Sequence, residues 1–417
     1  MKPFFAWLLP PLAIAVGLLF AGLAGGGCPC DTAVDEFAAA QSGLEREWLI
    51  QLPFDASMAR VEHVVIGDGI VVAQTGDGNV HAVQAADGGE SGPRAGTLLW
   101  THSIGHAGGP MPPAAIGPDL VTVARDKDLY ALERATGQHR WHHRLGHLTG
   151  AGPAHAGGWV YLPVGAENML RLPANPHRAA AAPTPAEKTD KKKPAKGAAR
   201  KKTSKDTAKP STESLLPVEI ATGGIVHDPA QPYRGGVLWC TTAGKLVSIE
   251  PGETGWQRNE FLLDRTPAGK PLVHEDTIFA ATADGNLVRI DPLDQPGGGL
   301  RLTWRALLDA APEPNLFLSG DKLVVSLGDE GLAVYSAATG ELLGRTWFPG
   351  RIVSVCGGRI WLFDQVGRLS SIDLATGERR DRFCLGGFSF PVVNQSTDRL
   401  ILASPNGVLV SLKPMPE

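Results

Sequence analysis

Short runs of β-branched and other apolar residues, each ended by a turn that often contains glycine, recur along most of the chain. The clearest copy, DLVTVARDKDLYALERATGQHRW, occupies residues 119–141. Its pattern predicts a strand, a tight turn, a second strand of alternating character, a polar turn and a third strand. Related copies occupy residues 277–291 and 399–413. Many short strands joined by turns predict an all-β fold.

The inner hairpin turn marks each copy of this repeat. We place its second residue at Gly78, Asp128, Asn168, Gly244, Gly285, Gly331, Gly367 and Gly407. The Asp-Gly and Asn-Gly dipeptides at three of these turns favour two-residue hairpins. Neighbouring markers lie 36 to 50 residues apart, except for one interval of 76. A four-stranded unit that repeats every ~40 residues is a propeller blade, so residues 45–417 are predicted to form an eight-bladed β-propeller.

A second turn recurs after the hairpin, as Ala-Thr-Gly or Glu-Thr-Gly at residues 135–137, 253–255, 338–340 and 375–377. Tryptophans follow at comparable distances, and we assign four of them to one position: Trp100, Trp141, Trp304 and Trp347. A large flat side chain fills the wedge between neighbouring sheets, so each is expected to pack across the seam between two blades.

The two ends of the repeat region predict how the ring closes. The last copy ends after its third strand, at Leu412, and residues 45–53 form a detached strand that contains Trp48. An N-terminal strand that completes the last blade would remove an exposed sheet edge. The fold expected from the sequence is therefore an all-β, eight-bladed propeller closed by its N-terminal strand.

The copies resemble the pyrroloquinoline-quinone-like (PQQ-like) propeller repeat, on the Ala-Leu-Glu, Ala-Thr-Gly and Trp of residues 131–141 and on residues 371–378. Quinoprotein dehydrogenases of this kind use an adjacent cysteine pair, and none of the five cysteines here has a cysteine neighbour. In size and location the chain most resembles the BamB-type propellers of outer-membrane assembly. The resemblance implies a non-enzymatic protein-binding scaffold in the cell envelope, with another envelope protein as partner and no cofactor. A PQQ- or metal-dependent oxidoreductase is the alternative.

The N-terminus predicts export. Residues 1–27 begin with a positive charge, continue as an apolar run and end in small residues, as a signal peptide or membrane anchor does. Cys28 after those small residues adds lipidation as a third possibility. All three predict an extracytoplasmic protein, periplasmic or membrane-anchored, that meets the membrane through its N-terminus. Residues 28–44 are expected to be a linker.

A basic tract lies in the one long interval of the repeat. The formal net charge of the chain is -4, yet residues 178–213 contain 9 Lys and 2 Arg against 4 acidic residues. With no apolar face, residues 177–213 are predicted to be a disordered insertion in the propeller. It is either a solvated loop or a polyanion tether, with these candidate contacts: Lys191, Lys192, Lys193, Lys201 and Lys202. It has no aromatic residue for base stacking, so nucleic acid is not expected as a partner.

Histidines mark a further candidate surface. In the repeat His102 aligns with His143, and His106 aligns with His147. The latter two fall where one blade passes to the next, so they are candidate markers of a binding face, with ordinary surface histidines as the alternative. A metal needs three or four convergent ligands, and repeat-equivalent residues lie a blade apart, so no metal site is predicted. No catalytic residue is predicted, because nucleophile motifs such as Gly-x-Ser-x-Gly do not occur.

Overall fold

Eight four-stranded antiparallel sheets build the molecule, and almost all of its regular structure is β. The computed structural model describes residues 34, 36–89, 92–105, 109–176, 216–252, 255–293, 298–364, 366–385, 387–388 and 390–415. The innermost strand of each sheet contacts the inner strands of the sheets before and after it, and the last contacts the first. The eight sheets therefore form a closed ring, which confirms the predicted all-β, eight-bladed propeller.

Each blade consists of four strands in order from the centre outward. The first four blades are β2 (Val61–Gly67), β3 (Ile70–Thr75), β4 (Asn79–Gln84) and β5 (Leu98–Ser103); β6 (Ala115–Ile116), β7 (Leu120–Arg125), β8 (Asp128–Glu133) and β9 (His139–Arg144); β10 (Ala154–Ala156), β11 (Trp159–Val164), β12 (Asn168–Pro173) and β13 (Val218–Ala221); and β14 (Gln231–Tyr233), β15 (Gly236–Cys240), β16 (Lys245–Gly252) and β17 (Gly255–Leu262).

The last four blades follow the same order, with the N-terminal strand in the outermost position of blade eight. They are β18 (Leu272–His274), β19 (Thr277–Ala281), β20 (Asn286–Pro292) and β21 (Leu300–Leu307); β22 (Leu316–Ser319), β23 (Lys322–Ser326), β24 (Leu332–Ser336) and β25 (Leu342–Thr346); β26 (Arg351–Cys356), β27 (Arg359–Phe363), β28 (Arg368–Asp373) and β29 (Arg379–Cys384); and β30 (Phe390–Val392), β31 (Leu400–Ala403), β32 (Val408–Pro414) and β1 (Leu44–Gln51).

The N-terminal strand closes the ring as predicted. β1 pairs antiparallel with β32, placing Arg46 opposite Leu412 and Trp48 opposite Ser411. Behind this pairing, the Glu47 carboxylate accepts two hydrogen bonds from the Arg399 guanidinium, at 2.6 and 2.8 Å. Blade eight therefore joins the two ends of the described chain through a full ladder and a charge-assisted pair.

The core lies between the blades as well as within them. The second strand of most blades is buried along its whole length, as β3, β7 and β11 show. Each apolar cluster combines neighbouring sheets: Val71 and Val83 of blade one pack with Ile401 and Leu409 of blade eight. A single four-stranded sheet cannot bury both faces alone, so each blade depends on its neighbours.

The N-terminal segment departs from the expected linker over residues 28–44. A helix, α1 (Glu36–Gln41), precedes β1, and Val34 and Ala39 are buried in the cluster formed by blades seven and eight. The Arg359 guanidinium donates to the carbonyl of Ser42 at 2.7 Å. The part of this segment that the structure describes therefore packs on the propeller, a correction to the linker prediction.

The hairpin turns also differ in detail from the prediction. Asp128 and Asn168 are the first residues of β8 and β12, so in blades two and three the marker falls one position late. Gly78 has a φ of +88° and donates its N–H to the carbonyl of Thr75 at 2.9 Å. Gly78 is thus the fourth residue of a turn over residues 75–78 and adopts a left-handed conformation there, in a three-residue loop instead of a two-residue one.

Candidate functional site

The order of strands in each blade creates two faces on the ring. The inner-hairpin turns and the connections from blade to blade lie on one face, here called the upper face. The Ala-Thr-Gly turns lie on the opposite, lower face. In blade three, β12 ends and β13 begins on the lower face, so the connection that contains the basic tract starts and ends on that face.

Of the histidines and lysines singled out from the sequence, the structure describes His102, His143 and His147. His147 is exposed in the upper-face connection between β9 and β10. His106, Cys28 and the five lysines lie outside the described residues, so their roles stay predictions: Lys191, Lys192, Lys193, Lys201 and Lys202. The alignment of His102 with His143 is confirmed by register, because each faces the second residue of the third strand in its blade.

A cavity of about 470 Å³ opens at the centre of the ring, along the inner strands of blades four to eight. Its lining is mixed, with polar groups from Gln231, Lys270 and Asn394 beside apolar groups such as Phe317. The Asn394 amide is held by hydrogen bonds to Thr397 and to the carbonyl of Arg399. Such a lining provides several directional polar contacts beside apolar surface.

Two opposite charges lie near this cavity, on the connections that lead into blades four and five. Burial raises the pKa of Asp228, and the positive charge of Lys270 partly opposes that effect. Burial likewise lowers the pKa of Lys270, with Asp228 acting in the opposite direction. Each group therefore stabilises the charged form of the other in a place where water is scarce.

Two inner-strand histidines were missed by the sequence analysis. Burial lowers the pKa of His155 to about 4, and its Nε2 lies 2.9 Å from the hydroxyl oxygen of Thr122 in the preceding blade. Burial also lowers the pKa of His63. At neutral pH His155 is therefore uncharged, and it links blades two and three. In a single sequence, a histidine in a short strand carries no signal of this role.

Two observations on the described ranges concern metal ligands and thiols. No group of three His, Cys, Asp or Glu side chains within the described ranges could hold a metal ion. Burial raises the pKa of the Cys356 thiol to about 12 and raises that of the Cys240 thiol as well. Both thiols are protonated at neutral pH and therefore poor nucleophiles.

Indole rings fill a repeated position between blades. Each of these indoles donates its Nε1–H to a carbonyl of the next blade: Trp48 to Ala85 (3.0 Å), Trp100 to Arg134 (2.8 Å), Trp141 to Ala174 (2.8 Å) and Trp304 to Ala337 (3.1 Å). This confirms the predicted packing across seams for the last three of these tryptophans. The position is structural and uses the polar edge of a buried ring.

Trp347 does not share this position, and its assignment to the tryptophan series was wrong. It lies beyond the end of β25, its side chain is 67% exposed, and the Arg345 guanidinium stacks on its ring at 4.1 Å. By strand register Trp347 corresponds to Leu307 of blade five, which is also exposed. In blade six this position therefore presents an indole to solvent.

Exposed apolar side chains extend this surface along the upper ends of three neighbouring outer strands. Leu262 ends β17, Leu307 ends β21 and Trp347 follows β25, with exposures of 59%, 73% and 67%. We call these three residues the outer-strand patch. The three residues occupy corresponding positions in consecutive blades.

Comparisons with known proteins agree with the fold. A family model described as outer membrane protein assembly factor BamB matches residues 90–175. The crystal structure of BamB from Moraxella catarrhalis is 17% identical, with a TM-score of 0.61, covering 89% of this chain and 97% of that chain. The resemblance to PQQ-like, BamB-type propellers is thereby confirmed.

Two other solved propellers are similar in fold alone. The computationally designed Ika8 protein is 12% identical, with a TM-score of 0.58, covering 87% of this chain and 98% of that chain. Sqt1 from Saccharomyces cerevisiae is 9% identical, with a TM-score of 0.54, covering 86% and 96%. No curated protein matches the chain. In the part of the chain that the structure describes, no helix has the length and hydropathy of a membrane span.

Proposed function

We propose that the chain is a non-enzymatic, exported scaffold that binds another protein of the cell envelope, as a BamB-like component of outer-membrane assembly. The observation that carries the proposal is the match of the ring to BamB from M. catarrhalis across 97% of that chain. A BamB family model that matches residues 90–175 supports it. The apolar N-terminus supports export and attachment to the membrane.

The chemistry of the described residues supports binding over catalysis. His155, whose pKa is strongly lowered, is neutral and hydrogen-bonded to Thr122. The buried thiols of Cys240 and Cys356 have raised pKa values. Both effects come from burial, which also keeps substrates away from these groups. Among the described residues, no group of reactive or metal-binding side chains therefore supports the alternative of an oxidoreductase.

The outer-strand patch is the surface on which we expect the partner to bind. We expect Trp347 to contribute most to binding, because exposed tryptophans that become buried on association contribute strongly to affinity. The ring of Trp347 is already ordered by the Arg345 guanidinium, which is anchored by Asp309 and Glu330. An ordered aromatic side chain loses less conformational entropy on binding than a mobile one.

Site-specific crosslinking in cells of the native organism tests this function. A photo-crosslinking residue at position 347 is expected to yield an adduct with a protein of the outer-membrane assembly machinery. The matched control places the same residue at Leu148, which is also exposed on the upper face but lies between blades two and three. Equal adducts from both positions, or a soluble cytoplasmic protein as the sole adduct, would contradict the proposal.

A substitution separates binding from folding. Trp347→Ala is expected to reduce partner capture from solubilised membranes about tenfold or more, the effect of removing a hot-spot tryptophan. Because the side chain is exposed, the free energy of unfolding should change by no more than about 0.5 kcal/mol. Unchanged capture by a folded variant would remove the outer-strand patch from the proposal.

A further inference from the structure

The seam between blades six and seven differs from the seams that hold indoles. In blades one, two and five the indole follows a β-bulge in the outer strand, opposite a fixed position of the third strand: Ala82 faces Trp100, Ala131 faces Trp141 and Arg289 faces Trp304. Trp48 follows the same kind of bulge in blade eight. The register, and not sequence spacing alone, therefore defines the indole position.

Blade six keeps this backbone but lacks the ring. Its outer strand has the bulge at the same place, and the residue that follows, opposite Val334, is Gly344. Gly344 has no neighbour within 4 Å of where its Cβ would project. The position that holds an indole in four other blades is therefore occupied by glycine in blade six.

The space left by the missing ring is a cavity of about 160 Å³. Leu343 and Gly344 line it from blade six, and Ile372 and the Ala-Thr-Gly turn of residues 375–377 line it from blade seven. In the equivalent turns a Cβ on Gly137 would lie 2.5 Å from the Trp100 ring, whereas Gly377 would meet only a methyl group at 3.7 Å. A cavity of about 150 Å³ accepts a benzene molecule, so this one has room for the six-membered ring of an indole.

The hydrogen-bond acceptor of the indole seams is also present. The accepting residue comes directly before the turn, as Arg134 and Ala337 do, and its counterpart in blade seven is Leu374. Its carbonyl oxygen is 3.2 Å from the ammonium of Lys322, which lines the same cavity. A flexible lysine can release this carbonyl, and its charge favours an electron-rich ring beside it.

We propose that this cavity, here called the blade-six slot, binds a tryptophan side chain presented by a partner protein. The occupant follows from the molecule itself, because four register-equivalent positions each hold an indole bonded to the equivalent carbonyl. Trp347 of the same chain does not fill the slot. It is three residues after Gly344, which corresponds to about 10 Å along a strand, in the direction of the upper face. The existence of a partner rests on the proposed function, whereas the slot itself does not.

Titration of the full chain with N-acetyltryptophanamide tests the slot without any partner. Saturable binding is expected, with shifts in NMR signals confined to residues near Gly344 and Gly377, and N-acetylleucinamide should bind at least tenfold more weakly. Gly344→Trp, which places an indole in the slot, should abolish binding. No saturable binding to the wild-type chain, or equal binding by the leucine amide, would overturn the proposal.

A second pair of variants keeps the test valid if Gly344→Trp folds poorly. Leu343→Glu puts a charge at the rim of the slot and should weaken binding of the amide tenfold or more. Leu342→Glu is the matched control, since Leu342 is the adjacent residue, is exposed to 49% against 50% for Leu343, and does not line the cavity. Equal binding by the two variants would contradict the slot. Partner crosslinking through position 347 is scored separately, so either proposal can fail alone.

Discussion

Two neighbouring seams share the same backbone arrangement but differ in what fills them. The seam between blades five and six holds an indole ring, and the seam between blades six and seven holds a cavity. In the first, the Trp304 ring packs against Phe279 at a centroid distance of 6.0 Å and bonds to the carbonyl of Ala337. In the second, Gly344 leaves a cavity in front of the turn at residues 375–377. The comparison shows that the bulge in the outer strand forms without an indole at the residue that follows it.

The ring tolerates this cavity because its blades are joined in several other ways. Between blades six and seven, Phe317 and Ile352 of the two inner strands belong to one buried cluster, and the Ser326 hydroxyl donates to the carbonyl of Gly350 at 3.0 Å. These contacts lie nearer the centre of the ring than the slot. Outer positions can therefore be used for binding while inner positions hold the ring together.

Removing the ring from the filled seam is expected to have the largest effect. Trp304→Ala loses both the buried part of the indole and its hydrogen bond, so the free energy of unfolding should fall by about 3 to 4 kcal/mol. Trp347→Ala is the control, an equal deletion at an exposed site. Urea denaturation monitored by circular dichroism measures both. Similar losses for the two variants would break the comparison.

A pH titration of stability should show the next largest effect, at the seam between blades two and three. The folded pKa of His155, about 4, lies below the ordinary value of about 6.5, so the unfolded chain binds this proton first. The free energy of unfolding should therefore decrease as the pH falls from about 6.5 to 4, by about 2 to 3 kcal/mol. His155→Gln, which does not titrate, should lose this component, and an unchanged profile would contradict the assignment.

Filling the empty seam should have the smallest effect on stability and the opposite sign. Gly344→Trp should raise the free energy of unfolding by about 1 kcal/mol, in the range of cavity-filling substitutions. Gly344→Ala is the control, because replacing a strand glycine alone contributes about 0.5 to 1 kcal/mol. The tryptophan variant should exceed the alanine variant in thermal or urea denaturation. If it is less stable than wild type, the slot does not fit an indole.

The sequence predicts the ring because the information is repeated. Eight hairpins with similar spacing and a stray strand around Trp48 are sufficient to predict blade number and closure, and both are confirmed. Within a repeat, however, spacing does not fix register. The bulge comes at the same place in blades five and six, and the register puts Gly344 at the position of Trp304 and Trp347 three residues further along the strand.

The candidate surfaces were less accessible to sequence analysis. Burial decides the state of His155 and the accessibility of Trp347, and burial depends on neighbours from another blade. The blade-six slot forms because an indole is missing, and in the sequence only the glycine at position 344 indicates this. Helix α1 was overlooked because six residues carry too little periodicity to be recognised.

A crystal structure of the protein soaked with N-acetyltryptophanamide tests the central claim most directly. The account places the indole between Gly344 and the turn at residues 375–377, with its ring nitrogen within hydrogen-bond distance of the carbonyl of Leu374. An amide that occupies other sites while this seam stays empty, in crystals where the seam is open to solvent, would contradict it.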